Sequence, residues 1–125
     1  MAQIRSKHTG PELLVRKLVF ALGYRYRLHV SRLPGCPDLV FRPRKQVIFV
    51  HGCFWHYHAN CSIAHLPKSR IDFWKSKLEG NRNRDEKNKK ELVRTGWKVL
   101  TIWECQLRNV SSIERRLRDF LIEEC

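Results

Sequence analysis

An α/β domain with a mixed central β-sheet flanked by helices is the fold class this sequence predicts. Three observations carry it. Helical periodicity appears near the start, the middle and the end of the chain. Short apolar, β-rich runs lie between. Their order, α-β-β-β-α-β-α, sets a helix between the third strand and the fourth. The 125 residues suit one domain with one modest core, spanning 9–125 behind a polar, basic arm at 1–8.

Thr9-Gly-Pro-Glu12 opens the first helix. Thr9 can cap it, Pro11 suits a first turn, and Glu12 completes a capping box. Leu14, Val15, Leu18, Ala21 and Leu22 form its apolar face, and Gly23 stops it. Tyr24 to His29 alternates large apolar with basic residues, as a half-buried strand does. Leu33-Pro-Gly-Cys-Pro37 is a turn, Asp38 to Phe41 a short strand, Pro43 to Lys45 a second turn, and Gln46 to Val50 a buried strand. These three strands read as a meander. Arg70 to Arg94 is a long helix with Ile71, Phe73, Trp74 and Leu78 in its first half and a polar second half, stopped by Gly96. Trp97 to Trp103 is the fourth strand. Ser111 to Cys125 is a last amphipathic helix, with Ile113, Leu117, Phe120 and Leu121 inward and arginines outward.

Lysine and arginine outnumber the acids, 25 to 12, for a formal charge of +13. Such a chain meets polyanions readily, and DNA or RNA is the default partner. No apolar run is long enough to span a bilayer, and Met1 to Lys7 lacks a signal core, which points to a cytoplasmic protein. A reducing compartment disfavours disulfides among the five cysteines; Cys36 and Cys125 read as free thiols.

The richest segment is His51-Gly-Cys-Phe-Trp-His-Tyr-His-Ala-Asn-Cys61. Cys53, His58 and Cys61 supply three thiolate or imidazole ligands close in sequence, with His56 and His65 as rivals to His58. Cys105, after the fourth strand, can close a tetrahedron. Four such ligands suit a structural Zn²⁺. Asp38 follows Pro37 at the start of a strand, where a carboxylate can hold Mg²⁺ and assist phosphodiester cleavage. A Pro-Asp pair is more often a plain turn. The acid-x-Lys that usually follows on the next strand of such nucleases is replaced here by Phe49-Val50-His51.

Leu33-Pro-Gly-Cys-Pro-Asp38, Val47-Ile-Phe-Val-His-Gly-Cys-Phe-Trp-His56 and Trp103-Glu-Cys105, together with Ile4 to Glu12, Phe73-Trp74, Asn81 and Arg84-Asp85, resemble the very-short-patch repair DNA mismatch endonucleases. The likeness covers nearly the whole chain. It implies a restriction-endonuclease-like domain that nicks one strand beside a T:G mismatch, using Mg²⁺ and carrying a structural zinc. Asp38 and the main-chain carbonyl of Val50 would hold Mg²⁺, and Glu12 its waters. His56 would be the general base, with His51 assisting near the scissile phosphate. An unperturbed imidazole titrates near ~6.5, which suits that task. Cys53, His58, Cys61 and Cys105 would bind zinc. Phe54, Trp55 and Trp74 would wedge between base steps. Lys77 and Asn81, on one helical face with Trp74, would meet the mismatch, and Arg84 would contact DNA. Trp97 and Trp103 read as core.

The implied partner is mismatched double-stranded DNA, bound by a monomer of bacterial type that is nucleoid-associated on DNA, with mismatch- or excision-repair proteins as candidate partners. Two other readings compete. One is a restriction- or defence-type nuclease of the same fold without mismatch preference, which would cut matched and mismatched duplexes alike. The other is a zinc-stabilised DNA-binding module without catalysis, for which Asp38, His51 and His56 would have no use.

Overall fold

The structure, a computed structural model, describes all residues except 1–9, 55, 57, 59–65 and 123–125, and the backbone alone at Pro43. The proposed arm, the Thr9 cap, Trp55, Cys61, His65 and Cys125 therefore lie outside the described residues.

The predicted order of elements is present: α1 (Gly10–Ala21), β1 (Arg27–Leu28), β2 (Leu39–Phe41), β3 (Gln46–His51), α2 (Ile71–Arg94), β4 (Lys98–Trp103) and α3 (Val110–Ile122). Short 3-10 turns at Arg42–Arg44 and Glu104–Arg108 join them. The sheet runs β1-β2-β3-β4; the first three strands form an antiparallel meander, and β4 lies parallel to β3. A parallel neighbour needs a crossover, and α2 provides it. The sheet is therefore mixed, as expected.

Each face of the sheet has its own core because strand side chains alternate. On one face Leu39, Phe41, Ile48 and Ile102 pack with Val15 and Val19 of α1 and with Ile113, Leu117 and Leu121 of α3. On the other, Val40, Val47 and Phe49 pack with Leu92 of α2, joined by half-buried Trp97 and Val99. The helices thus sandwich the sheet.

Three details depart from expectation. The first strand is shorter: only Arg27–Leu28 pair with β2, although Tyr24, Tyr26 and Leu28 still alternate inward with exposed Arg25 and Arg27. The alternation reports a half-buried extended segment, whereas strand pairing also needs a partner, and β2 offers only three residues. Ile71 and Phe73 stay exposed on α2, which buries only Leu78 and Leu92. On α1, Val19 enters the core and Ala21 stays exposed.

Candidate active site

The C-terminal end of β3 is where the predicted site residues gather. Val50 donates its backbone N–H to the Asp38 carboxylate at 2.6 Å. The N–H and C=O of one residue in an extended strand face the same edge, so the Val50 carbonyl points to the Asp38 flank. His51 is next and lies on the α2 face, since Phe49 does. The loop beyond carries Cys53, Phe54, His56 and His58.

Around Asp38 the structure assembles residues far apart in sequence. Glu12, from α1, has a side chain only 2% exposed, and His29 Nε2 donates to its Oε2 at 2.8 Å. Arg16 approaches the same oxygen at 3.5 Å. Glu12 is thus a buried residue facing the sheet end, a position that its expected capping role does not require. His29 Nε2 also lies 4.0 Å from Asp38 Oδ1. Burial, with Glu12 nearby, raises the Asp38 carboxyl from 3.8 to about 6, although the Val50 N–H and the positive character of His29 and His56 oppose the shift. Charge is costly at such a site unless it is paired.

The second grouping is His56 with Asp85 of α2. The Nδ1···Oδ2 separation is 2.5 Å. An ionised carboxylate only accepts, so Nδ1 carries a hydrogen, and it is the Nε2 lone pair that the neutral ring presents. The His51 ring stacks on His56 with centroids 3.8 Å apart and planes at 5°. Burial first, then His56, drives the His51 pKa from 6.5 down to about 3, so His51 is neutral near pH 7. His51, His56 and Asp85 bring ligand atoms within 4.8 Å of one another. They do not make a convincing metal site. Imidazole lone pairs lie in the ring plane, and two parallel stacked rings cannot aim them at one ion.

The third grouping is Cys53, His58 and Cys105, whose ligand atoms also lie within 4.8 Å of one another. Cys105 Sγ is 3.5 Å from His58 Nδ1. Around a tetrahedral zinc with Zn–S near 2.3 Å and Zn–N near 2.0–2.1 Å, a sulfur and a nitrogen would stand roughly 3.6 Å apart. The donor set therefore fits zinc. Cys53 is buried, its Sγ accepts the Cys105 N–H at 3.3 Å, and its own N–H donates to Glu104 Oε1 at 3.3 Å. His58 stacks on Trp103 at 4.0 Å, and its pKa is lowered by burial and by Arg82, favouring the neutral form a ligand needs. Of the rival ligands, His56 engages Asp85 instead and His65 is outside the described residues.

Trp103 is half-buried and lines this site, edge-on to His51 at 5.1 Å, which corrects its reading as plain core. Trp97 does pack in the core. A cavity of about 310 Å³ opens between α2 and β4, lined by His51, His56, His58, Asp85 and Trp103 among others. Phe54 meets Trp74 edge-on at 5.6 Å, and Phe73 extends this aromatic group at 5.3 Å from Trp74. Lys77 is exposed, and Arg84 donates to the Asn81 side chain.

Sequence reasoning missed three participants: His29, Asp85 and Glu104. Asp85 had a usable signal. Trp74, Leu78, Asn81, Asp85, Asn88 and Leu92 follow one stripe of α2 at heptad-like spacing, and all six are buried or half-buried. An acid on that stripe faces the sheet. His29 had a weaker signal, as the next step in the β1–β2 register that pairs Leu28 with Leu39; its N–H donates to the Asp38 carbonyl at 3.2 Å. Glu104 stood inside the Trp103-Glu-Cys105 string without a role of its own.

Among known proteins, the family described as DNA mismatch endonuclease Vsr matches residues 1–62. The type II nicking enzyme V.XorIIP of Xanthomonas oryzae pv. oryzae is 51% identical over 121 residues, 97% of this chain and 88% of that protein. The type II nicking enzyme V.NmeAIP of Neisseria meningitidis is 46% identical, covering 98% and 87%. The DNA mismatch endonuclease Vsr of Escherichia coli is 39% identical over 108 residues, 86% of this chain and 69% of that protein.

Proposed function

Since this chain belongs to the Vsr family and is a DNA nicking endonuclease, we propose that it hydrolyses one phosphodiester bond beside a T:G mismatch, in a Mg²⁺-dependent reaction that leaves a 5′-phosphate and a 3′-hydroxyl. One observation carries the reading. The pair His56–Asp85, the buried Glu12 and the half-buried Asp38 converge at the end of β3.

Asp85 fixes the His56 tautomer, so Nε2 is the atom that takes the proton from the attacking water. His51 holds the His56 ring plane by stacking, and its neutral form offers a hydrogen bond near the phosphate without adding charge. Asp38 and the Val50 carbonyl, on the same strand edge, would hold the divalent cation, and Glu12 would hold water bound to it. When bound, Mg²⁺ supplies electrostatic stabilisation of the phosphate charge that builds up in the transition state. Cys53, His58 and Cys105, with Cys61, would hold a structural zinc that orders the loop carrying His56. Elemental analysis should find about one zinc per chain.

Phe54, Trp55 and Trp74 would wedge between base steps, and a wobble pair unstacks at lower cost than a matched one. Lys77 and Asn81 would read the mismatch edge, while Arg84 and the other cations of α2 track phosphates. The restriction-endonuclease-like fold agrees with the central sheet sandwiched by helices. No helix among the described residues is long and apolar enough to cross a membrane, which agrees with a cytoplasmic enzyme that meets DNA at the nucleoid.

The test is nicking of end-labelled duplexes in Mg²⁺, T:G beside matched T:A, with Asp38→Ala as control. A single nick at T:G alone supports the reading. Asp38→Ala should lose at least ~10³-fold in rate, because a cation contributes several kcal/mol at about 1.4 kcal/mol per decade. Equal cutting of both duplexes would instead favour a type II nicking or defence enzyme without mismatch preference, a reading that the names of two relatives also suit.

A further inference from the structure

His29 is the residue at the sheet end to which sequence reasoning assigned no role. It lies at the end of β1, one register step beyond the Leu28–Leu39 pair, and so stands opposite Asp38. Its side chain is 9% exposed, against 2% for Glu12 and 15% for Asp38. Three ligand-type atoms, one from each residue, lie within 4.8 Å of one another.

We propose that His29 is itself a ligand of the catalytic divalent cation, making the centre a mixed nitrogen–oxygen site that favours Mn²⁺ and related first-row ions over Mg²⁺. This rests on reading Asp38 as the cation-holding carboxylate.

The distances fit coordination as well as a hydrogen-bonded clamp. Ligands of an octahedral ion bound at 2.0–2.1 Å stand roughly 3.0 Å apart when adjacent and roughly 4.2 Å apart when opposite. His29 Nε2 lies 2.8 Å from the Glu12 oxygen and 4.0 Å from the Asp38 oxygen, close to these two spacings, so in this mixed site Glu12 binds the ion directly in place of a water it would otherwise hold. The same nitrogen lies near both carboxylates, as an ion shared by the three residues requires. The charge balance points the same way. Glu12 and Asp38 share the site, with Arg16 3.5 Å from Glu12, and a divalent cation between the acids would pair with both. The tautomer can adapt. Nε2 donates to Glu12 when it carries the proton, and with the proton on Nδ1 the same Nε2 presents a lone pair to an ion.

Ion preference follows from ligand type. Mg²⁺ prefers oxygen and gives up its waters reluctantly. Imidazole suits first-row transition ions. A site built only of Asp38, Glu12 and the Val50 carbonyl would offer nothing but oxygen.

The experiment uses the zinc-loaded, magnesium-free protein and Mn²⁺ alone as probe. Continuous-wave EPR measures Mn²⁺ affinity, and pulsed EPR detects directly bound ¹⁴N. The wild type should show nitrogen coupling and bind Mn²⁺ at least ~10-fold more tightly than Mg²⁺ in competition. His29→Gln should lose the coupling and weaken Mn²⁺ binding by ~10- to 100-fold. His56→Gln should keep the coupling, and Asp38→Asn should abolish binding at this site. Absence of nitrogen coupling in the wild type overturns the proposal without recourse to any variant. So does coupling that survives His29→Gln, or a nitrogen-coupled Mn²⁺ that survives Asp38→Asn. The two readings fail separately. Mn²⁺ bound without nitrogen to a protein that nicks DNA removes the role of His29 alone. A protein that neither binds Mn²⁺ nor nicks with any divalent ion removes both.

Discussion

The carboxylate cluster and the histidine–cysteine cluster flank the same end of β3 but are assembled in opposite ways. Glu12, His29 and Asp38 come from α1 and from the ends of two neighbouring strands, and they meet only because β1 and β2 pair in one register. Cys53, His56 and His58 come from one short loop and need only Asp85 and Cys105 from elsewhere. Burial acts on both clusters with opposite chemical results. It raises the Asp38 carboxyl to about 6 and lowers His51 to about 3, toward the neutral form in each case. The difference between them lies in what each cluster holds. Two carboxylates share the first with His29 and Arg16, whereas the second pairs one histidine, His56, with one carboxylate, Asp85. On the proposed reading, one part of the centre would receive an ion and the other would hold a base.

The largest expected effect concerns His51. Its pKa in the folded protein is below its ordinary value, so its neutral burial stabilises the protein fully above pH 6.5 and progressively less as pH falls toward 3. The drop from 6.5 to about 3 corresponds to roughly 5 kcal/mol at 1.36 kcal/mol per pH unit. Urea unfolding at pH 7 and pH 4 should show a steep loss in the wild type and a much shallower one in His51→Gln. Equal losses in the two proteins would mean that His51 is not buried as a neutral group.

His56→Ala should reduce nicking by roughly 10²–10⁴-fold, the usual contribution of a general base. Asp85→Asn should cost less, about 10–10²-fold, because it acts through His56. Introduced together they should be no worse than His56→Ala, since residues acting as a unit are not additive. Single-turnover rates on a T:G duplex would measure this, and additive losses would separate Asp85 from His56.

Asp38 has the opposite pH sign and a smaller size. Its folded pKa is above 3.8, so its protonated form stabilises the protein below that pH and the contribution is lost as pH rises through about 6, a range of roughly 3 kcal/mol. Asp38→Asn keeps an acceptor for the Val50 N–H and removes the buried charge. It should be more stable than the cation-free wild type above pH 6, by about 1–3 kcal/mol, and of similar stability near pH 4. Thermal melts with and without a divalent ion would sharpen the contrast, since the ion should raise the wild-type Tm and leave the variant unmoved.

How much of this was legible in the sequence follows from the same contrast. The loop cluster was legible because its ligands are neighbours in the chain, and the structure brings Cys53, His58 and Cys105 together as their chemistry suggested. Cys61 and Trp55, in the same motif, lie outside the described residues. Glu12 was found for its capping pattern and its family likeness, but nothing in the sequence revealed its burial. His29 looked like the polar member of an alternating strand.

By itself, the sequence determined the order of helices and strands, a mixed sheet flanked by helices and the residue types available for metal and proton chemistry. Periodicity and ligand spacing are local properties that a linear chain already contains. Only the tertiary structure decided that His29 faces Asp38, that Asp85 fixes the proton on His56 and that the His51 and His56 rings lie parallel. Each of those depends on strand register or on the rotation of α2 against the sheet. A single-residue change in register would send a side chain to the opposite face, and which register is adopted is settled by packing across the whole core.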